Sequence, residues 1–393
     1  MAKDENQDLN GIAANQAPEG GEAAAEFAAP AAVDWSRLSQ PQLIWRRFRA
    51  SRLAMTGGVL TLLFYACAVF GGFVSPYGLH TRFTDHIYCP PMRLHLRDAA
   101  GNWSLRPFVY GYVQRMDPNT FEITYVADTT VRYPIRFFVP GDAYTVLGIV
   151  HGSVHLFGIE QGVPLFLAGS DRQGRDMLSR MILGSQVSLS VGLLGVVFGI
   201  GLGSVLGTVS GYYGGLIDDL MQRFSEVLMS IPRVPLWMAL AAILPVDWSP
   251  IRVYFGITVI LALIDWGGLA RQLRGRTLAL REEVYTLAAR SAGASDWWII
   301  RKHLIPNNAS HIIVVGTLAI PGMILGETAL SFLGLGIRPP MTSWGVLLQE
   351  AQNVRTIVLN PWLIIPAALV IAAVLAFNFL GDGLRDAVSP FSK

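Results

Sequence analysis

The stretch MILGSQVSLSVGLLGVVFGIGLGSVLGTVSGYYGGLI, residues 181–217, contains no charged side chain. A helix rising 1.5 Å per residue needs about 20 apolar residues to cross a ~30 Å hydrocarbon core, so a membrane span lies within this run. Gly195, Gly199, Gly203, Gly207 and Gly211 recur at every fourth position, which on a helix aligns them in one smooth stripe. Each interior glycine costs about 1 kcal/mol relative to alanine, so five in register suggest a packing role. Two readings stay open: the stripe admits another helix backbone at close range, or it loosens a gating helix.

Further apolar runs lie on either side. Residues 53–74 form a charge-free first span, and the 181–217 run holds the second. Residues 224–244 make a third that carries Glu226, Pro232, Arg233 and Pro235, so it is expected to start irregularly near the interface. Residues 253–270, interrupted only by Asp265, are the fourth; 311–335, with Glu327 inside, the fifth; and 361–380 the sixth. Composition agrees: the 393 residues are 52% hydrophobic and 15% charged, with a mean hydropathy of +0.42, where soluble domains are about a quarter charged. The net charge of +2 is too small to argue for a nucleic-acid partner.

Residues 1–33 read as a disordered cytoplasmic tail with no apolar core. Residues 34–52 turn basic and amphipathic, with Trp45, Arg46, Arg47, Phe48, Arg49 and Arg52 ahead of the first span. They read either as an interfacial helix or as a flank that merely sets topology. Residues 77–170 are polar; 121–126 alternate and 131–139 are β-branched and aromatic, predicting a small, partly β extramembrane insert. Arg271, Arg274, Arg276, Arg281, Arg290, Arg301 and Lys302 crowd one loop, against Arg252, Arg338 and Arg355 on the opposite connections. That bias puts both termini and the 272–308 loop in the cytoplasm and the 77–170 insert outside.

None of the three lysines, Lys3, Lys302 and Lys393, follows a glycine, so the chain holds no Walker A loop and any ATP must be bound by another subunit. Cys67 and Cys89 read as free thiols, and no catalytic constellation is present. His151 and His155 could share a helix face, but without a third ligand they read as surface residues of the insert, leaving no metal site. Asp265 reads as a translocation-path residue or, with Trp266 beside it marking an interface, more readily as a helix-end carboxylate bonded to backbone or an arginine. Glu327 reads equally as a translocation-path residue or as a satisfied helix carboxylate.

The 272–308 loop is the most informative segment. Leu280, Val284, Leu287 and Ala288 fall at helical spacing, with Arg281, Glu282, Arg290 and Ser291 facing elsewhere. Small residues, Ala288, Ala289, Ala292, Gly293 and Ala294, suit a helix that lies in a groove on another protein; a solvated linker helix is the alternative.

The segment from Glu283 through Ala288, Ala289, Gly293 and His303 to Pro306 resembles the EAA loop of binding-protein-dependent ABC importer permeases. Leu287, His303 and Ile305 replace the family's Glu, Ile and Leu, and the acid comes slightly earlier, as Glu282 or Glu283. Residues 169–180, 326–345 and 376–386 are similar to segments of the dipeptide/oligopeptide branch, whereas 97–166 have no common counterpart. The resemblance implies an all-α polytopic membrane protein with six transmembrane helices of type I importer architecture, a five-helix core over 181–390 and an added periplasmic insert. It implies a non-catalytic permease in the bacterial inner membrane, forming half of a path for peptides, with nickel, opines or oligosaccharides as alternative cargo. A second, homologous permease, two ABC ATPases carrying ATP and Mg, and a periplasmic substrate-binding protein are the implied partners, with no cofactor in this chain. Residues 282–306 would then be the coupling element. A secondary transporter is the competing class, but no inverted repeat is visible.

Overall fold

Most of the 181–217 run lies inside one long helix. The computed structural model describes residues 39–98, 101–116, 118–119, 123–146, 148–159 and 163–388. The expected tail at 1–33, Lys3, Lys393, and positions 121 and 122 of the alternating segment lie outside the described residues. Residues 1–43 and 44–393 are separate units, the first described only over 39–43.

Helix α1 is Gln40–Ala50. Ser51 then caps α2, Arg52–Val69, by accepting from the Ala54 N–H at 3.3 Å. The first apolar run therefore breaks at Phe70, and Gly71–Val74 form a separate turn. Three strands follow, β1 His95–Arg97, β2 Trp103–Met116 and β3 Ile123–Pro134, in one antiparallel sheet. Strands β4, Arg136–Val146, and β5, Val150–Gly158, make a second, two-stranded sheet. Val109, Ile135, Leu165 and Phe166 close a small core here with Cys89 and Met92.

Helix α3 is Met177–Tyr213, opened by Asp176, whose carboxylate accepts from the Ser179 N–H at 2.7 Å. Gly214 and Gly215, at φ +66° and +54°, turn the chain through a backbone region that only glycine enters freely. Next come α4, Gly215–Ser230, and α5, Arg233–Ala242. The expected third span over 224–244 is therefore two helices, because Pro232 has no N–H to continue the ladder. Pro235, in the first turn of α5, displaces no bond. Helix α6 is Pro250–Leu280, α7 Val284–Ser291, α8 Ala309–Phe332, α9 Trp344–Gln349 and α10 Ile365–Val388. Among the described residues, five helices are long and apolar enough to cross a membrane: α2, α3, α6, α8, and α10 with its preceding Pro361–Ile364 turn. Large apolar side chains on α2 and α3, such as Leu62, Leu63, Val197 and Phe198, stay exposed, as lipid-facing residues do.

Helix α6 also runs ten residues past the expected end at Ala270. Arg271, Arg274 and Arg276 thus ride on its last turns and not on a loop.

The glycine stripe fixes how α3 meets α6. A methyl placed on Gly199 would sit 3.7 Å from the Ala262 carbonyl oxygen, and one on Gly203 only 2.9 Å from that of Trp266. One on Gly207 would overlap the backbone of Ala270, and one on Gly211 would lie 2.7 Å from the Arg274 oxygen. The contacts climb both helices by one turn at a time. Gly195, one turn earlier, faces Met323 of α8 instead. All five glycines are buried. The second close pair is α2 with α10, where a Cβ on Gly57 would lie 2.6 Å from the Leu380 nitrogen. Leu189, Ile257, Leu261, Ile324, Trp344 and Phe377 fill the core between these pairs.

Overfilling a tight contact costs typically about 1–3 kcal/mol. Gly207→Ala should therefore lower the thermal midpoint of the purified protein clearly, and Gly199→Ala far less. Gly201→Ala, whose methyl would meet nothing within 4 Å, should leave the midpoint unchanged. Equal midpoints for all three would show that α3 and α6 are not held by backbone contact.

Candidate functional site

Helix α7 hangs from the foot of α6. Glu283 precedes it, its carbonyl accepting from the N–H groups of Thr286 and Leu287 at 2.9 and 3.0 Å. The Glu283 side chain caps nothing and points outward with Glu282. Thr286 is buried and donates its hydroxyl to the Leu280 carbonyl at 2.8 Å. At the far end Gly293, at φ +82°, lets its own N–H reach the Arg290 carbonyl and that of Ala294 reach Ala289, at 3.0 and 3.1 Å. This is the left-handed close that favours glycine at a helix C-terminus. A methyl on Gly293 would meet open space within the chain, so its requirement here is conformational.

The two faces of α7 differ. Ala289 and Ala294 turn inward onto Tyr212, Ile299, Ile300 and Leu304. Val284, Leu287 and Ala288 turn out, with Val284 79% exposed. Leu280, expected to share that outward face, instead closes α6 and packs inward. Trp297 and Trp298 extend the exposed apolar surface. His303, in the π-turn Ile300–Leu304, sets its ring 5.0 Å from Trp298 and 5.8 Å from Tyr285. Pro306 is exposed at the start of the next turn, Ile305–Asn307.

Three polar clamps brace this region, one between the α7 segment and α3 and two between α6 and its neighbours. Tyr212, at the end of α3, donates to Asp296 at 2.7 Å, while the Arg290 guanidinium lies 5.3 Å over its ring. Arg274 of α6 makes a bidentate pair with Asp218 of α4, both contacts 2.5 Å, and the Ser210 hydroxyl also donates to Asp218. Arg276 donates to buried Asn308 at 2.8 Å, tying α6 to the start of α8.

The other singled-out residues lie elsewhere. Glu327 is fully buried and accepts from the hydroxyls of Ser188 and Ser331 at 3.1 and 2.7 Å; Ser188 in turn accepts from the Trp344 N–H. Asp265 is not near a helix end: it sits mid-way along α6, 3.4 Å from Arg233 of α5. Both line a cavity of about 550 Å³ between α3, α6 and α8, which Glu327 does not reach. The signal was in the sequence as Arg233 and Asp265, opposite charges in two adjacent apolar runs. His155 is not a surface residue either. It lies on a strand, 2% exposed, with its ring nitrogens 2.6 Å from the Ser75 oxygen and 3.0 Å from that of Asp142. Cys67 and Cys89 are free, and among the described residues no three His, Cys, Asp or Glu side chains converge as a metal site would need.

Two family profiles match in order: the N-terminal TM domain of oligopeptide transport permease C over residues 39–91, and the binding-protein-dependent transport system inner membrane component over 199–393. The dipeptide transport system permease protein DppC of Bacillus subtilis (strain 168) is 30% identical over 355 residues, covering 90% of this chain and 86% of that protein. The chain belongs to the binding-protein-dependent transport system inner membrane component family. The permease is also 41% identical over 223 residues to the oligopeptide transport system permease protein OppC of Haemophilus influenzae, 56% of this chain and 69% of that one. It is 39% identical over 226 residues to the glutathione transport system permease protein GsiD of Pectobacterium atrosepticum, 57% of this chain and 72% of that one. Family membership makes it a membrane-embedded component of a transport system and not an enzyme. All five strands fall between the two matched segments.

If the Arg274–Asp218 fork braces the foot, Asp218→Asn keeps the shape but weakens the pair by about 1–3 kcal/mol. Hydrogen–deuterium exchange over Gly215–Ser230 should then rise. Exchange as slow as in the unsubstituted permease would show that α4 is held by packing alone.

Proposed function

We propose that this permease is half of the translocation path of an ATP-driven importer of peptides, with α7 as the element that engages a separate ATPase. The observation that carries the reading is the two-sidedness of α7: its inner face is clamped to α3 and α6, while its outer face presents Val284, Leu287 and Ala288 beside Glu282 and Glu283. An apolar helix face left bare on a rigid base suits insertion into a groove. The permease has no Walker A lysine, so the nucleotide and its Mg belong to the partner. Peptide cargo is supported by relatives named for oligopeptide, dipeptide and glutathione transport.

In this reading there are six crossings of the inner membrane, the third made by α4 and α5 together. Both termini and the 281–308 segment are cytoplasmic, and the strand-rich insert is periplasmic, where a substrate-binding protein docks. A second, homologous permease supplies the other half of a type I path. Residues Glu282, Glu283, Ala288, Gly293, His303 and Pro306 belong to the coupling surface, whereas Ala289, expected on the same small-residue face, backs it from the inner side. Rigid-body motion of the ATPases reaches α3 through Tyr212, held by Asp296 and Arg290, and α6 through the Thr286–Leu280 bond.

Gly293→Asp tests this directly. The permease should still insert, since among the described residues nothing lies within 4 Å of a Cβ placed at Gly293. Co-purified ATPase and peptide uptake should both fall by roughly tenfold or more, because a carboxylate buried without a partner in the docked groove is costly. Reporters fused after Arg290 and near Asn119 should lie on opposite sides of the membrane. Full ATPase recovery with full uptake in Gly293→Asp would remove α7 as the coupling element.

A further inference from the structure

The cavity between α3, α6 and α8 contains an ion pair that the fold itself does not explain. Asp265 and Arg233 stand on different helices, and their one recorded contact is a long 3.4 Å approach of a guanidinium nitrogen to Asp265 Oδ1. No hydrogen-bond donor among the described residues reaches that oxygen. The Arg233 side chain is 62% exposed and that of Asp265 15%, so the cation is free to swing and the anion is not. Elsewhere in the same chain a structural pair is built differently: Arg274 grips Asp218 through two 2.5 Å bonds with a serine hydroxyl in support. Charges set in apolar helices are costly and mark binding sites or pathways more often than braces.

We propose that Arg233 and Asp265 bind the two ends of a zwitterionic peptide as it passes through this cavity, the carboxylate on Arg233 and the ammonium on Asp265. This rests on the peptide-importer reading and adds the recognition chemistry within the membrane. The cavity, about 550 Å³, falls within the ~300–1,000 Å³ range of small-molecule sites. Its wall beside the pair is apolar or bare: Leu269, Met323 and Gly268. At one end Gln272 and His311, hydrogen-bonded at 2.9 Å, offer neutral polar groups for a peptide backbone. Arg385 of α10 also lines the cavity, but no further Asp, Glu, Lys or Arg of α6 or α8 does; two charges of opposite sign on an otherwise uncharged α5–α6 wall recognise termini and ignore side chains, which suits cargo of varied sequence. Arg233 follows directly on the Ile231–Pro232 break, so α5 can shift against α6 and open the pair without unwinding a long helix.

The test uses the permease assembled with its partner subunits in nanodiscs, without the binding protein, and radiolabelled L-alanyl-L-alanine. The competitors are the unlabelled dipeptide, its N-acetyl form and its C-terminal amide. The unsubstituted complex should prefer the free dipeptide over either capped form by roughly tenfold, the loss expected for one charged hydrogen bond. Asp265→Asn should erase the preference over the acetylated form only, and Arg233→Gln the preference over the amide only. The double variant, which leaves no lone charge to impair assembly, should erase both. Absence of binding, equal competition by capped forms, or discrimination retained in any assembled variant would overturn the site. Dipeptide uptake by cells carrying the whole system separates the two ideas. Uptake without discrimination in nanodiscs sinks the site alone, whereas no peptide uptake at all sinks the importer reading and the site with it.

Discussion

Backbone touches backbone where α3 crosses α6, at Gly203 on Trp266, Gly207 on Ala270 and Gly211 on Arg274, and the rest of the core takes its position from that contact. In lipid no hydrophobic drive pulls helices together, so close fit and polar contacts must do it. A side chain at Gly207 would move the helices apart, and three things would go with it. Asp218, just past the α3 turn, would lose its reach to Arg274. Arg281 would lose the Gly211 carbonyl, now at 3.3 Å. The wall of the 550 Å³ cavity, which Gly199 and Leu269 share, would change shape.

The same closeness explains why α7 is stiff on one side and bare on the other. Its buried Thr286 and half-buried Ala289 are tied through Leu280 and Tyr212 to the feet of α6 and α3, while Leu287 and Val284 are exposed. On the proposed reading, stiffness toward the long helices and an adhesive outer surface are the two requirements of a part that passes motion from one protein to another. The strands of the insert take no part in this. Their anchor is His155, bonded to carbonyls on both sides and joining β5 to the end of the first span.

Long apolar runs and the four-residue glycine period were legible in the sequence, because a helix repeats them over many turns and nothing distant can hide them. Gly293 stood out in the sequence only as a small residue of the loop; its left-handed φ of +82° is what the structure adds. The misreadings came where a partner far along the chain decides. Arg271, Arg274 and Arg276 look like loop residues until Asp218 and Asn308 are seen to receive two of them, which allows α6 to run on to Leu280. Asp265 looks interfacial beside Trp266, yet Trp266 is buried with its ring stacked on Phe224 of α4, and Asp265 faces Arg233. His155 was read with a helical period, whereas on a strand it turns inward to Ser75. The third crossing was blurred by Pro232, whose missing N–H breaks it, and no long-range contact is needed to see why.

The central claim is that the outer face of α7 is the seat of another protein. The most direct measurement is photo-crosslinking in the intact membrane, with a photoreactive phenylalanine at Leu287 and, as a control, at Leu193, an exposed apolar position on α3. The account predicts that the Leu287 probe joins covalently to an ATPase subunit while the Leu193 probe does not. Labelling of lipid alone from Leu287, in cells where the transporter is active, would contradict it.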